Sequence, residues 1–337
     1  MTNANPVKWG ILSTANIGWA KVVPAMQQAS NIKVVAVGSR DYEKAQAMAL
    51  DLKIAKAYGS YDALLADPEI EAIYNPLPNH LHVPLTLRAL AAGKHVLCEK
   101  PMALNAIEAS LLLDVQKASG KLVAEAFMVR HHPQWQRARA LVQGGEIGEV
   151  RAIQTAFSYF NNDPANVRNQ ADIGGGGMYD IGCYAITTAR YIFDAEPDRI
   201  IGLVANDPTF GTDRLASALA EFPGQRHLTF SVSTQAVPYQ RVQIFGTKGR
   251  IEVQIPFNAP PNAQTKIFID NGSDLAGGGI HTEVLPACDQ YTLQGEVFSK
   301  AVRGEQPLEY GLEDAIHNMR ILDAIFLSVK TGKFETP

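Results

Sequence analysis

Residues 96–102 read Val96-Leu97-Cys98-Glu99-Lys100-Pro101-Met102, three apolar residues that suit a buried strand followed by a Glu–Lys–Pro turn, and Asn105 then opens a run with helical spacing. Open parallel sheets keep their ligands outside the carboxyl ends of the strands, so a lysine on a turn in that place is a candidate site residue. The adjoining proline fixes φ and can take a cis bond at small cost, and either property aims Lys100 rigidly. A solvated lysine in a surface loop is the competing reading. The flanking segments decide between the two.

Working outward, strands are expected at 8–13, 32–38, 55–58, 72–75, 95–98 and 122–126, from apolar, β-branched runs. Helical spacing falls between them, at 17–28, 42–52, 61–65, 82–92 and 106–119, with Ser60 as a cap and Gly93 and Gly120 as stops. Strands alternating with helices define right-handed βαβ units and a parallel sheet.

The first strand–helix junction reads Ser13-Thr14-Ala15-Asn16-Ile17-Gly18. A dinucleotide fingerprint has glycine at the places held here by Ser13, Ala15 and Gly18. Only Gly18 remains, with two small residues as substitutes. Small residues still let backbone approach a pyrophosphate, and the helix start offers N–H groups and a positive dipole end. A tight turn that merely packs is the bland alternative. The second strand ends in Gly38-Ser39-Arg40, where an NAD site would carry an acidic residue for the ribose 2′-hydroxyl. A hydroxyl and a guanidinium suit a 2′-phosphate, so NADP is preferred, and Asp41 is expected to cap the next helix. After the fourth strand comes Asn75-Pro76-Leu77-Pro78-Asn79-His80-Leu81-His82, a stiff loop with Asn79 as a plausible cap. Neither the His80/His82 pair nor the His131/His132 pair has carboxylate or cysteine companions at ligand spacing, so no metal is expected.

The 337 residues exceed one usual domain and predict two. A charged fraction of 19% and a net charge of −4 without a basic run give no reason to expect nucleic acid or an anionic membrane as partner. Cys98, Cys183 and Cys288 are too scattered for a disulfide framework or a zinc site, and Cys98 reads as buried. No apolar run approaches a membrane span, and the N-terminal Met-Thr-Asn-Ala-Asn-Pro-Val-Lys has no signal-peptide core, so a cytoplasmic location is expected.

The order Ser-Thr-Ala-Asn-Ile-Gly, Gly-Ser-Arg-Asp-Tyr-Glu-Lys-Ala, Asn-Pro-Leu-Pro-Asn-His-Leu-His, Cys-Glu-Lys-Pro-Met and then Gly-Gly-Gly-Gly-Met-Tyr-Asp-Ile-Gly-Cys-Tyr (174–184) resembles the glucose–fructose oxidoreductase / inositol dehydrogenase / rhizopine-catabolism (Gfo/Idh/MocA) family of pyridine-nucleotide enzymes. The likeness covers essentially the whole chain, and the Glu-Lys-Pro turn with the downstream D-x-G-x-Y is its specific part. It is strongest to the branch of glucose–fructose oxidoreductase, NADP-dependent xylose dehydrogenase and dimeric dihydrodiol dehydrogenase. The resemblance implies an N-terminal α/β Rossmann domain, 1–128, and a C-terminal α+β substrate and dimerisation domain, 129–337. The second domain would carry a large, open, mostly antiparallel sheet that often forms a homodimer interface, and the last helix, 312–330, would be able to pack back on the first. β-rich runs at 150–160, 200–203, 216–222, 226–233, 239–245 and 249–253 agree. The alternation of Leu228, Phe230 and Val232 with His227, Thr229, Ser231 and Ser233 implies one covered face. Residues 258–279 read as a mobile loop, and 291–303 and 312–330 as amphipathic helices.

Carried over residue by residue, the resemblance makes Lys100, Asp180 and Tyr184 the catalytic set. It places the nucleotide among Ser13, Thr14, Asn16, Ile17, Ser39, Arg40, Asn75, Leu77, Pro78, Asn79, His82, Glu99, Lys100 and Arg168. The substrate falls to Lys100, Arg130, Phe160, Arg168, Asp180 and Tyr184. The chemistry is coherent. Oxidising a sugar C1 hydroxyl needs a base for the proton while a hydride leaves, and a phenol of ordinary pKa near 10 is a poor one. A nearby ammonium favours the phenolate, so Lys100 tunes Tyr184 while Asp180, four residues earlier on one helix face, fixes the sugar. The inositol-dehydrogenase-like histidine is replaced by Tyr184, which points to aldoses or dihydrodiols. With the first strand expected within about eight residues of Met1, the cofactor-wrapping N-terminal arm of glucose–fructose oxidoreductase is not expected here. The expectation is an NADP-dependent aldose 1-dehydrogenase, against aldose–aldose or glucose–fructose oxidoreduction with retained NADP, dihydrodiol oxidation, or a non-catalytic sugar sensor.

Overall fold

The computed structural model describes residues 5–337; the first four residues of the N-terminal stretch discussed above lie outside the described residues. Strands β1 (Val7–Leu12), β2 (Ile32–Gly38), β3 (Lys56–Tyr58), β4 (Ala72–Asn75), β5 (His95–Cys98) and β6 (Val123–Glu125) form a sheet in the order β3-β2-β1-β4-β5-β6, every pair parallel. The strand order reverses between β1 and β4, which is where such a sheet opens a crevice. Helices α1 (Val23–Met26), α2 (Tyr42–Asp51), α3 (Tyr61–Leu65), α4 (His82–Ala91) and α5 (Ala106–Ser119) fall between these strands along the chain.

The capping chemistry explains several boundaries. Asp41, Ser60 and Asn105 accept the N–H of Lys44, Ala63 and Glu108, and Gly120 ends α5 at φ 64°. Asn79 does not cap α4. A 3₁₀ turn (Asn79–Leu81) precedes the helix and leaves Leu81 at the cap position without a side-chain bond. The helix expected at 17–28 is also altered. Pro24 has no N–H to donate, and Gly18–Val22 winds as a π-turn in which Val23 N–H reaches back to Gly18 O before α1 begins.

The second half holds α6 (Pro133–Gln143), β7 (Val150–Phe160), α7 (Cys183–Phe193), β8 (Arg199–Asn206), β9 (Asp213–Phe222), β10 (Arg226–Ser233), β11 (Gln235–Gly246), β12 (Arg250–Val253), β13 (Thr265–Asp270), β14 (Ile280–Leu285), α8 (Gln290–Val302) and α9 (Leu312–Thr331). Its eight-stranded sheet runs β14-β13-β12-β11-β7-β10-β9-β8 and is antiparallel except where β10 pairs β7 in parallel. Leu228, Phe230 and Val232 are buried as the alternation requires; Ser233 joins them, donating its hydroxyl to Arg214 O at 2.7 Å. α7 is buried on every side, so it carries no polar stripe. The stretch 258–279 is not all loop. Buried Thr265 and Ile267 alternate with less covered Lys266 and Phe268, and the strand pairs with β12 and β14, a short period-2 signal masked by the Pro, Asn and Gly around it.

Contacts divide the chain into a first unit of Met1–Met128 with Tyr291–Ile316 and a second of Val129–Gln290 with His317–Pro337. The first unit's core joins Trp9, Ile11, Val37, Tyr74 and Leu97 to Phe298 of α8. Trp9 tilts against Phe298 at 5.5 Å and donates its indole N–H to Ser299 at 3.2 Å, and Arg303 holds Glu71 at 2.6 Å.

Candidate active site

In the first unit, the turn after β5 is fixed from three sides. Tyr74 donates its hydroxyl to Glu99 at 2.6 Å, Glu125 accepts the Met102 N–H at 2.6 Å, and the His82 ring lies 2.7 Å from Pro101 O and 2.6 Å from Leu77 O. Burial and the Glu99 charge push the Tyr74 phenol well above its ordinary range, so it stays a donor. The Lys100–Pro101 peptide is cis. Lys100 itself is part-exposed at the carboxyl end of β5. Its place on the turn follows from its neighbours.

The same contacts engage His82 and Asn75, both read from sequence as nucleotide ligands. His82 is fully buried with each ring nitrogen against a backbone carbonyl. Asn75, also fully buried, donates to His82 O at 3.2 Å and Thr86 at 3.4 Å and accepts from Leu77 N at 3.3 Å. Both residues shape the proline loop against the turn.

At the carboxyl end of β1, Ser13 has φ 75°, the left-handed backbone that glycine favours, and its hydroxyl accepts the Ala15 N–H at 3.2 Å. The fingerprint's first glycine conformation therefore survives without the glycine. A Cβ on Gly18 would stand 3.5 Å from Pro76 and 3.6 Å from Tyr74, so the π-turn lies close against β4. At the end of β2, Ser39 accepts the Asp41 N–H at 3.1 Å, and exposed Arg40 lies beside the Tyr61 phenol. Asp41, the only carboxylate adjoining them in sequence, is committed to capping α2. Small residues and a cation at these strand ends fit a phosphorylated dinucleotide.

In the second unit, Tyr184 occupies the first turn of α7, its ring packed on Phe157 at 6.1 Å and Phe257 at 5.3 Å. Phe257 also stacks on Phe157 at 4.7 Å and on Trp135 at 6.4 Å, so the phenol ring sits in an aromatic wall. Asp180 lies in a second π-turn (Met178–Gly182) rather than in the uniform α-helix expected. One of its oxygens, Oδ2, accepts both the Tyr159 hydroxyl at 2.5 Å and Arg168 Nε at 2.9 Å. Sequence reading had placed Arg168 on the nucleotide or substrate, and the Asp180 ion pair is what the structure adds. Phe160 is exposed and Arg130 buried.

The glycine run before Asp180 faces protein groups rather than open space. Gly176 N donates to Arg168 O and Gly175 N to Gln170 O, each at 2.9 Å. Gly176 has φ 119°, and a Cβ there would collide with the Asp213 carboxylate. Asp213 accepts the Met178 N–H at 2.6 Å, and burial pushes its carboxyl up to about 7 against the pull of its backbone donors. Neither Tyr159 as a partner of Asp180 nor Asp213 was singled out from sequence. The Phe157/Tyr159 alternation was the available signal for the former, and an isolated aspartate opening β9 offered none for the latter.

Two histidines outside the site set an acid limit. His95 Nδ1 accepts the Leu122 N–H at 3.0 Å and His132 Nδ1 the Gln134 N–H at 3.1 Å, so protonation breaks a bond in each case. Burial lowers both from 6.5 to about 4. The unfolded chain therefore takes up these protons first, and the stability they confer is complete above pH 6.5 and lost as pH falls toward 4. His132→Asn, which keeps a capping oxygen, is expected to lose about 1–2 kcal/mol less than the parent between neutral pH and about pH 4.5, read by urea unfolding. An equal loss in both proteins refutes this.

Among the described residues no group of three or more His, Cys, Asp or Glu could hold a metal ion, and no helix is long and apolar enough to cross a membrane. Cys98 is fully buried, and burial raises its thiol well above the usual range.

Two family models match the chain: the Gfo/Idh/MocA oxidoreductase family, NAD-binding Rossmann fold, over residues 7–127, and the Gfo/Idh/MocA C-terminal domain over 135–252. The chain belongs to the Gfo/Idh/MocA family of oxidoreductases, and its first unit is an NAD(P)-binding Rossmann domain. It is 49% identical to an uncharacterized oxidoreductase, ORF334, of Rhizobium meliloti, across 98% of this chain and 99% of that one. It is 37% identical to D-xylose 1-dehydrogenase (NADP(+)) 2 of Haloferax volcanii, across 96% and 98%. Among solved structures, KijD10, a 3-ketoreductase from Actinomadura kijaniata in complex with NADP and TDP-benzene, superposes with a TM-score of 0.89 at 29% identity, covering 96% of this chain and 98% of that one.

Proposed function

We propose that the protein is an NADP-dependent aldose 1-dehydrogenase that converts a sugar such as D-xylose or D-glucose to its lactone. The observation that carries this reading is the turn after β5, where Tyr74, Glu125 and His82 fix the backbone on either side of Lys100. Bound NADP supplies the hydride acceptor. Tyr184 takes the C1 hydroxyl proton as the C1–H bond breaks and the carbonyl forms, Lys100 favours its phenolate, and Asp180 orients the sugar. The activity and nucleotide of the Haloferax volcanii relative support the assignment. So does the coexistence of Lys100 and Tyr184, one of which a non-catalytic sensor would be expected to have lost. The dimer is assigned to the sheet face that bears exposed Leu203, Leu215, Leu219 and Tyr239.

The test is to denature purified protein, assay released NADP(H), and follow nicotinamide absorbance with a panel of aldoses. Continuous turnover with added NADP supports the dehydrogenase. Stoichiometric reduction that resumes only with a second sugar supports an aldose–aldose enzyme with retained nucleotide, and no reduction with any aldose sinks both. For the nucleotide, Arg40→Ser is expected to raise KM for NADP about 10- to 100-fold, the worth of a charge-assisted bond, and to leave KM for NAD unchanged. Equal shifts for both nucleotides remove Arg40 from the 2′-phosphate site.

A further inference from the structure

We propose that Tyr159 is a positioning residue of the reaction, acting with Arg168 as a two-armed clamp on Asp180. The two donors arrive from separate elements. Tyr159 stands near the end of β7 and donates to Asp180 Oδ2 at 2.5 Å; Arg168 stands on the loop that follows and donates through Nε to the same oxygen at 2.9 Å. The loop is itself pinned. Asn166 accepts the Arg168 N–H at 3.1 Å and Gly176 donates to Arg168 O at 2.9 Å, an approach that glycines at 175 and 176 alone permit. A carboxylate gripped on one oxygen from a strand and from a fixed loop is confined to one orientation.

Chemistry distinguishes the two tyrosines near this carboxylate. Burial and the Asp180 charge raise the Tyr159 phenol far above its ordinary range, so it remains protonated and serves as a constant donor. The Asp180 charge likewise raises Arg168, which remains a cation. Titratable groups around Asp180 include Tyr159 from β7, Arg168 from the loop and Asp213 from β9, and Tyr184 from the first turn of α7 stands near Arg168. Of these, Tyr159 and Arg168 stabilise the carboxylate form by donating to it, while Asp213 opposes it. The inference gives Arg168 a task within the protein, in place of the nucleotide contact expected from sequence.

The experiment follows the Asp180 carboxyl by ¹³C NMR in aspartate-labelled protein, together with sugar and NADP kinetics. In Tyr159→Phe the Asp180 titration midpoint is expected to rise by about one pH unit, a tenfold weaker acid, as one donor is lost. KM for D-xylose should rise about tenfold, and the acid limb of kcat/KM should move up by the same unit, with NADP affinity unchanged. Arg168→Met should give the same signature, and the double variant, with both donors gone, should raise the Asp180 midpoint further than either single one. Tyr159 in a merely structural role would lower the melting temperature and leave the Asp180 midpoint where it was. That result in Tyr159→Phe overturns the proposal, and should this variant not fold, an unmoved midpoint in Arg168→Met does so. Its role in turnover rests on the reading of Asp180 as the sugar-holding group. The NMR titration does not, so failure of the clamp and failure of the dehydrogenase assignment are told apart.

Discussion

Tyr184→Phe is expected to lower kcat with an aldose about a thousandfold while the fold stands. General acid–base groups contribute roughly 10²- to 10⁴-fold, and the phenol oxygen is the atom assigned to take the C1 hydroxyl proton. The ring is what packs against Phe157 and Phe257, and phenylalanine keeps it, so the melting temperature should move little. KM for NADP should stay within about twofold, since no interaction with the nucleotide is assigned to that oxygen. The companion Lys100→Met separates tuning from proton transfer. With the ammonium gone, the rise of kcat with pH that marks Tyr184 ionisation should move up by about two units, equivalent to roughly 2.7 kcal/mol. Full turnover by Tyr184→Phe would remove the acid/base assignment altogether, and an unmoved rise of kcat with pH in Lys100→Met would remove the tuning.

A large loss of stability from a one-carbon change is expected at Gly176. Alanine there would be held at φ 119°, a region that costs a side chain about 1–3 kcal/mol, and its Cβ would run into the buried Asp213 carboxylate. Moving that carboxylate breaks its bond to Met178 N–H and strands a buried polar group, at a further cost of about 1–3 kcal/mol. Gly176→Ala should therefore be destabilised by about 3 kcal/mol or more in urea unfolding. A penalty below about 1 kcal/mol would show that the loop yields. The neighbouring Gly175 is confined differently, since a Cβ there would meet the carbonyls of Arg168 and Gln170 at 2.7 and 2.6 Å.

The Rossmann half was legible because each of its signals is local. Asp41, Ser60 and Asn105 cap where they stand in sequence, and short apolar runs between helical spacings leave few other folds open. Ser13 shows how a weak motif can be right for a physical reason, since the backbone conformation outlives the glycine that usually supplies it. What escaped depends on partners far away in sequence. A lone aspartate at 213 acquires meaning only when the glycine loop folds over it, and Tyr159 only when Asp180 and Arg168 arrive. Strand β13 was hidden because Pro, Asn and Gly on both sides outweighed a short alternating run that its sheet neighbours stabilise. The two π-turns were unreadable for a related reason, since an added residue per turn leaves no mark on composition.

Helix α8 has a bearing on how the chain is made. A ribosome releases residues in order, yet Trp9 awaits Phe298 and Ser299, and Glu71 awaits Arg303, all of them made more than two hundred residues later. The nucleotide-binding half therefore keeps an uncovered tryptophan until α8 has been made, an interval in which its apolar surface is open to association.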